Sequence, residues 1–232
     1  MKKILLLSIV ALVGAIAHAQ EITVSSEQIM MDVLRESKSI KSKSVQVGDQ
    51  TWMTQNIDVS KFRNGDPILE ANDAKKWQQA SLNSTPAWCY AMEGHPEFGK
   101  LYNSFAINDP RGLVPKGWHI PTVDEWNTLY KFLGGNDQIL NKISSKVGWQ
   151  HPSSDANNST GLSMRPTGWR SGKSREVNGL NHRIFLWAAS NENGCNAFSF
   201  FDLTENNKMG DKHGLIMVDC QCGGAVRCIK DR

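Results

Sequence analysis

The strongest local instruction in the chain lies at residues 119–135, HIPTVDEWNTLYKFLGG. Thr122 is placed to cap a helix, and Glu125, three residues on, to reach back and close a capping box. Asp124 and Glu125 suit the positive end of the helix dipole. Trp126, Leu129, Tyr130 and Leu133 recur at i, i+3, i+4 and i+7, so one face is buried. Gly134 and Gly135 stop the helix. Asp137 with Ile139, Leu140 and Ile143 adds a short helical turn. No other segment of the 232 residues is punctuated as well, and much of the remainder reads as short strands and ordered loops.

Val45–Met53 alternates around Gly48 and Asp49, the pattern of a hairpin. From there to about residue 110 the texture is loop-rich, with a turn at Asn64-Gly65-Asp66-Pro67. Beyond residue 150, Asn, Ser and Gly separate short apolar runs. Ile184–Ala189, Ala197–Leu203, Gly214–Val218 and Ala225–Ile229 read as strands. Phe200 and Phe201 are adjacent, so one of the two rings must face another surface or a loop. The sum is a mixed α+β domain with short antiparallel sheets, one or two helices and long ordered loops.

The chain opens with MKKILLLSIVALVGAIAHA. Lys2 and Lys3, the apolar run Ile4–Ala17 and Ala17-His18-Ala19 have the form of a signal peptide over residues 1–19. The run is shorter than the ~20 apolar residues of a membrane span. No Cys stands near residue 20, so a bacterial lipoprotein anchor is not supported. The mature chain is expected to begin at Gln20, outside the cytoplasm: in the periplasm, at the cell surface or secreted. Residues 20–44 read as an arm, with a helix over 25–37 followed by a Lys/Ser stretch, and residues 45–232 as the folded domain. Hydrophobic residues make up 40% and charged residues 21%, a composition that buries a core and excludes a disordered chain. The net charge of +3 falls close to neutral once Lys2 and Lys3 leave. No basic field remains that suits nucleic acid.

An extracytoplasmic chain can oxidise its cysteines. Five are present, Cys89, Cys195, Cys220, Cys222 and Cys228, for which two bridges and one thiol are the simplest count. His95, His119, His151, His182 and His213 show no HExxH or paired Cys-x2-Cys pattern. No metal and no cofactor is assigned. Ser163 and Ser171 lack a nucleophile-elbow context, and no GxGxxG or P-loop occurs. Asp109, Asp124 and Glu125 form a carboxylate group in sequence, but the last two have a capping role already.

A run of segments gives a more specific pointer. In order they are Val47–Met53 with Asn56-Ile57, Phe62–Ile68, Ala87–Tyr90, Gly99–Asn103, Asn108–Leu113, Pro115–Thr122, Glu125-Trp126, Gly161-Leu162, Trp187–Ser190 and Val226–Asp231. Together they resemble the Fibrobacter succinogenes major paralogous domain family over residues ~45–232. That resemblance implies a divergent C-type-lectin-like fold, which the formylglycine-generating enzymes share. It also implies that the Val45–Met53 hairpin and Val226–Lys230 lie in one sheet. Many relatives carry Cys where this chain has Val114. Cys228 therefore needs another partner, and Cys89, in the matching Trp-Cys-Tyr, is the candidate. The rival to Cys89 as partner of Cys228 is Cys220; a second bridge would join Cys195 to Cys220 or to Cys222. The sugar-site tripeptides of C-type lectins are absent, and the cysteines do not reproduce the oxidase site.

What functional signal remains is amide and aromatic. Asn191, Asn193, Asn196, Phe198, Phe200, Asn206 and Asn207 fall where C-type-lectin-like folds form their exposed binding face, and such groups suit glycans or protein surfaces. Phe198 and Phe200 could equally be core. The expectation is a non-enzymatic binding or adhesion module for a glycan or protein ligand. An exported enzyme related to the formylglycine-generating enzymes and a structural envelope subunit are the alternatives.

Overall fold

A computed structural model describes residues 44–135, 138–150, 155–173, 176–189, 195–201 and 214–232. The leader, the arm up to residue 43, and Asn191, Asn193, Asn206 and Asn207 lie outside the described residues. The chain divides into two units, 1–43 and 44–232, and the described residues belong to the second.

β1 (Ser44–Val47) and β2 (Gln50–Met53) form the expected hairpin, with Val47 opposite Gln50. Gly48 takes φ +59° in the turn, the left-handed region where glycine costs least. β3 (Leu69–Glu70) leads to α1 (Ala74–Leu82), which Asp73 caps by accepting from the Lys76 N–H. β4 (Ala87–Tyr90) and β5 (Lys100–Asn103) follow, then the single turn α2 (Ser104–Ile107). β6 (Trp118–His119) feeds α3 (Val123–Phe132). In α3 the Thr122–Glu125 capping box is formed and Trp126 and Leu129 are buried, as the sequence pattern requires. α4 (Gln138–Ile143) is the short helix expected after it.

The second half supplies β7 (Trp169–Arg170), β8 (Val177–Asn178), β9 (Arg183–Trp187), β10 (Cys195–Phe201), β11 (Gly214–Val218), β12 (Gly223–Gly224) and β13 (Ile229–Lys230). The expected terminal strand Ala225–Ile229 is thus divided. Ala225 makes an isolated parallel bridge to Leu186, and the chain rejoins a sheet only at Ile229.

Among the described residues three sheets result, in the orders β1-β2-β13-β6, β11-β10-β9 and β3-β4-β5-β12-β7-β8. The first joins the opening hairpin to the chain's end, Ile229 lying opposite both Trp52 and His119. The fold is mixed α+β. In the six-stranded sheet Gly223 and Gly224 admit neighbours that no side chain would allow. A Cβ on Gly223 would come within 2.6 Å of the Trp77 ring, and one on Gly224 within 2.7 Å of Phe185. Helix α1 therefore covers one face of that sheet and β9 the other.

Three indoles knit the sheets together. Trp126 lies between Trp52, at a centroid distance of 4.7 Å, and Phe198, stacked at 4.3 Å with ring planes 9° apart. Its Nε1 donates to the Trp187 carbonyl at 3.3 Å. Trp187 Nε1 in turn donates to the Tyr102 carbonyl at 2.7 Å.

Candidate functional site

The expected binding face rests on β9, β10 and β11. β10 is the central strand, with Ala197 opposite both Trp187 and Ile216. Cys195 through Ser199 are all buried. A central strand covered on both faces has no solvent side, so the usual polar–apolar alternation does not apply. Phe198 is stacked on Trp126 and is core. Asn196 is buried, and its carbonyl accepts from the Ala188 N–H at 3.0 Å. Both are corrections to the expectation: these two residues build the framework and are not displayed to a ligand. Phe200 lies in β10 opposite Ile184.

The topology separates the other four asparagines. The connection 188–194, with Asn191 and Asn193, enters β10 at Cys195. The connection 202–213, with Asn206 and Asn207, leaves it at Phe201. The two stretches are attached at opposite ends of a 7-residue strand, about 20 Å apart at ~3.3 Å per residue.

Cys195 is bridged to Cys220, with 5.3 Å between their Cα atoms. Register explains the choice. Cys195 lies opposite Val218, and Cys220 is two residues further along the same chain. The tie between Cys89 and Cys228 is not formed; both are buried free thiols, as is Cys222. Cys89 lies opposite Leu101 in the β4–β5 pair, and Trp88 opposite Tyr102. Alternation turns Cys89 and Tyr102 to opposite faces of the sheet. Cys89 receives a hydrogen bond from Arg170. Burial raises all three thiols, Cys222 to about 12, and Arg170 only partly offsets it at Cys89. Thiols of this kind are inert. Iodoacetamide is expected to label none of them in the native protein, three after denaturation, and all five after reduction as well. Rapid native labelling, or a peptide map joining Cys89 to Cys228, would contradict this assignment.

The carboxylates Asp109, Asp124 and Glu125 do not converge on one point. Asp109 Oδ2 pairs with Arg111 at 2.8 Å, and Arg111 also reaches Asp66 at 3.0 Å. The Asn64 amide and then Arg111 hold the Asp66 carboxyl below the usual range, Arg111 does so for Asp109, and the Arg111 bonds join the 60–68 and 108–113 loops. Glu125 belongs to a cluster the sequence did not reveal. Its two oxygens lie 3.0 Å from His119 Nε2, while His119 Nδ1 lies 2.7 Å from Asp231 Oδ1. The spacing of His119 and Glu125 across a capping box was the only sequence signal available for it. Among the described residues no group of three or more His, Cys, Asp or Glu side chains is disposed to hold a metal ion.

The family model described as the Fibrobacter succinogenes major domain matches residues 45–230, and the chain belongs to that family. No curated protein and no solved structure matches it. The match spans all three sheets, from the first hairpin to β13.

Proposed function

We propose that this protein is an exported, non-enzymatic binding module on a C-type-lectin-like fold, and that it meets a glycan or protein ligand through the connections of its C-terminal sheet. The observation that carries this reading is the bracing of β10. The Cys195–Cys220 bridge holds its first residue, the Phe198–Trp126 stack holds its middle, and β9 and β11 flank it. A rigid strand with polar connections at both ends is the arrangement in which loops carry recognition. The leader-like residues 1–19 and the disulfide agree with export. Among the described residues no helix is long and apolar enough to cross a membrane.

With Asn196 and Phe198 assigned to the framework, ligand contact falls to Asn191 and Asn193 before β10 and to Asn206 and Asn207 after it. The test is binding to glycan and protein arrays, followed by two double variants, Asn191→Ala with Asn193→Ala and Asn206→Ala with Asn207→Ala. One pair is expected to weaken binding at least about tenfold, as loss of adaptable amide contacts at a paratope-like surface does, with the melting temperature unchanged. An absence of any array ligand, or full binding by both double variants, would overturn the reading.

A further inference from the structure

His119, at the edge of the first sheet, has a carboxylate on each ring nitrogen: Asp231 at Nδ1 and Glu125 at Nε2. A neutral imidazole carries one N–H. It satisfies one carboxylate and turns a lone pair on the other. Only the imidazolium donates to both. We propose that His119 is a protonation latch: as imidazolium it fastens the segment after β13 to the head of α3, and loss of its proton releases that segment.

The geometry decides which partner moves. Glu125 Oε2 also accepts from the Thr122 N–H at 2.9 Å and from the Thr122 hydroxyl at 3.0 Å, so it stays with the helix. Asp231 is about half exposed, and its backbone N–H donates to the Gly117 carbonyl at 3.0 Å. With its side chain 53% exposed against 19% for Glu125, Asp231 is the partner whose carboxylate leaves. Glu125, from α3, and Asp231, after β13, are the charged groups that face the ring. Lys230 lies opposite Trp118 while Ile229 lies opposite His119, so alternation turns Lys230 to the other face. From β2, the neutral Gln50 amide donates to the Glu125 backbone carbonyl.

Burial works against the charged ring, but the hydrogen bonds of Asp231 and Glu125 outweigh it and hold His119 above the ordinary histidine value. A histidine raised in the folded state contributes fully below its unfolded value, ~6.5, and the contribution is lost as pH rises through the folded value. The latch is closed in acid and opens on the alkaline side.

Imidazole 15N NMR of the protein tests the charge state directly. Both His119 nitrogens are expected to be protonated at pH 6, with a titration midpoint that falls in Asp231→Asn. Water exchange of the Asp231 amide, corrected for intrinsic base catalysis, should rise about tenfold across the wild-type midpoint, the scale of a lost charge-assisted bond. In His119→Gln that exchange should be fast at every pH. One protonated nitrogen at pH 6, a midpoint unmoved in Asp231→Asn, or Asp231 exchange that ignores the midpoint would overturn the latch. The wild-type and Asp231→Asn measurements decide the matter even if His119→Gln does not fold.

Discussion

Trp126→Ala is expected to destabilise the protein by about 3–5 kcal/mol, the cost of truncating a fully buried indole. For a unit of this size that lowers the melting temperature by roughly 6–20 °C. The residue is fully buried and touches three neighbours of α3: Trp52 in the first sheet, Phe198 in the C-terminal sheet, and the Trp187 carbonyl through its own N–H. Alanine leaves a cavity between two aromatic rings and orphans a carbonyl. Trp126→Phe should recover the stack but not the hydrogen bond, and so lose less. Scanning calorimetry on the three proteins measures both terms. A melting temperature unchanged in Trp126→Ala would mean that α3 does not join the sheets as described.

Arg227→Ala is expected to cost a similar amount, about 3–5 kcal/mol, because it leaves three buried acceptors unsatisfied at about 1–3 kcal/mol each. Arg227 is fully buried and, among the described residues, forms no ion pair. It is held instead by the Asn56 side-chain oxygen at 2.9 Å and by the carbonyls of Met53 at 2.9 Å and Leu162 at 2.8 Å. Burial pulls its guanidinium down to about 9, which leaves it protonated at neutral pH. Three acceptors from distant parts of the chain converge on one side chain, and its planar fork reaches all of them. Lysine, with a single nitrogen, should recover only part of the loss. In urea the midpoint should fall with an unchanged slope, the signature of altered stability rather than an altered unfolded state. If Arg227→Met were as stable as the parent, the guanidinium bonds would contribute nothing net.

The parts of the fold that were legible in the sequence are those written locally. The α3 cap is set by Thr122 and Glu125, and the first hairpin by alternation around Gly48. The closing of the first sheet by the terminal strand came through the family resemblance. α1 falls in the loop-rich stretch because its sequence, AKKWQQASL, carries two large apolar residues, Trp77 and Leu82, of which only the first is buried. Trp77 alone anchors it, with Ala80 and Ser81 buried beside it. β4 and β5 were missed because Ala87, Trp88 and Cys89, and all of Lys100–Asn103, are buried, and a strand covered on both faces loses its period. The same effect misplaced Asn196 and Phe198 as candidate ligand contacts. The His119 cluster joins residues 112 positions apart, a distance at which no local pattern speaks.

β13 has one further consequence, for the order in which the chain is made. Ile229 pairs with Trp52, so β2 waits for its neighbour until residue 229 has been synthesised. Contacts of such long sequence separation pay their loop-closure entropy late and form slowly. The first hairpin, with little beside it, is marginal on its own. The first sheet is therefore completed only after β13 has been made. Until β13 is made, β2 and β6 lack the strand that lies between them, and the first sheet stays open.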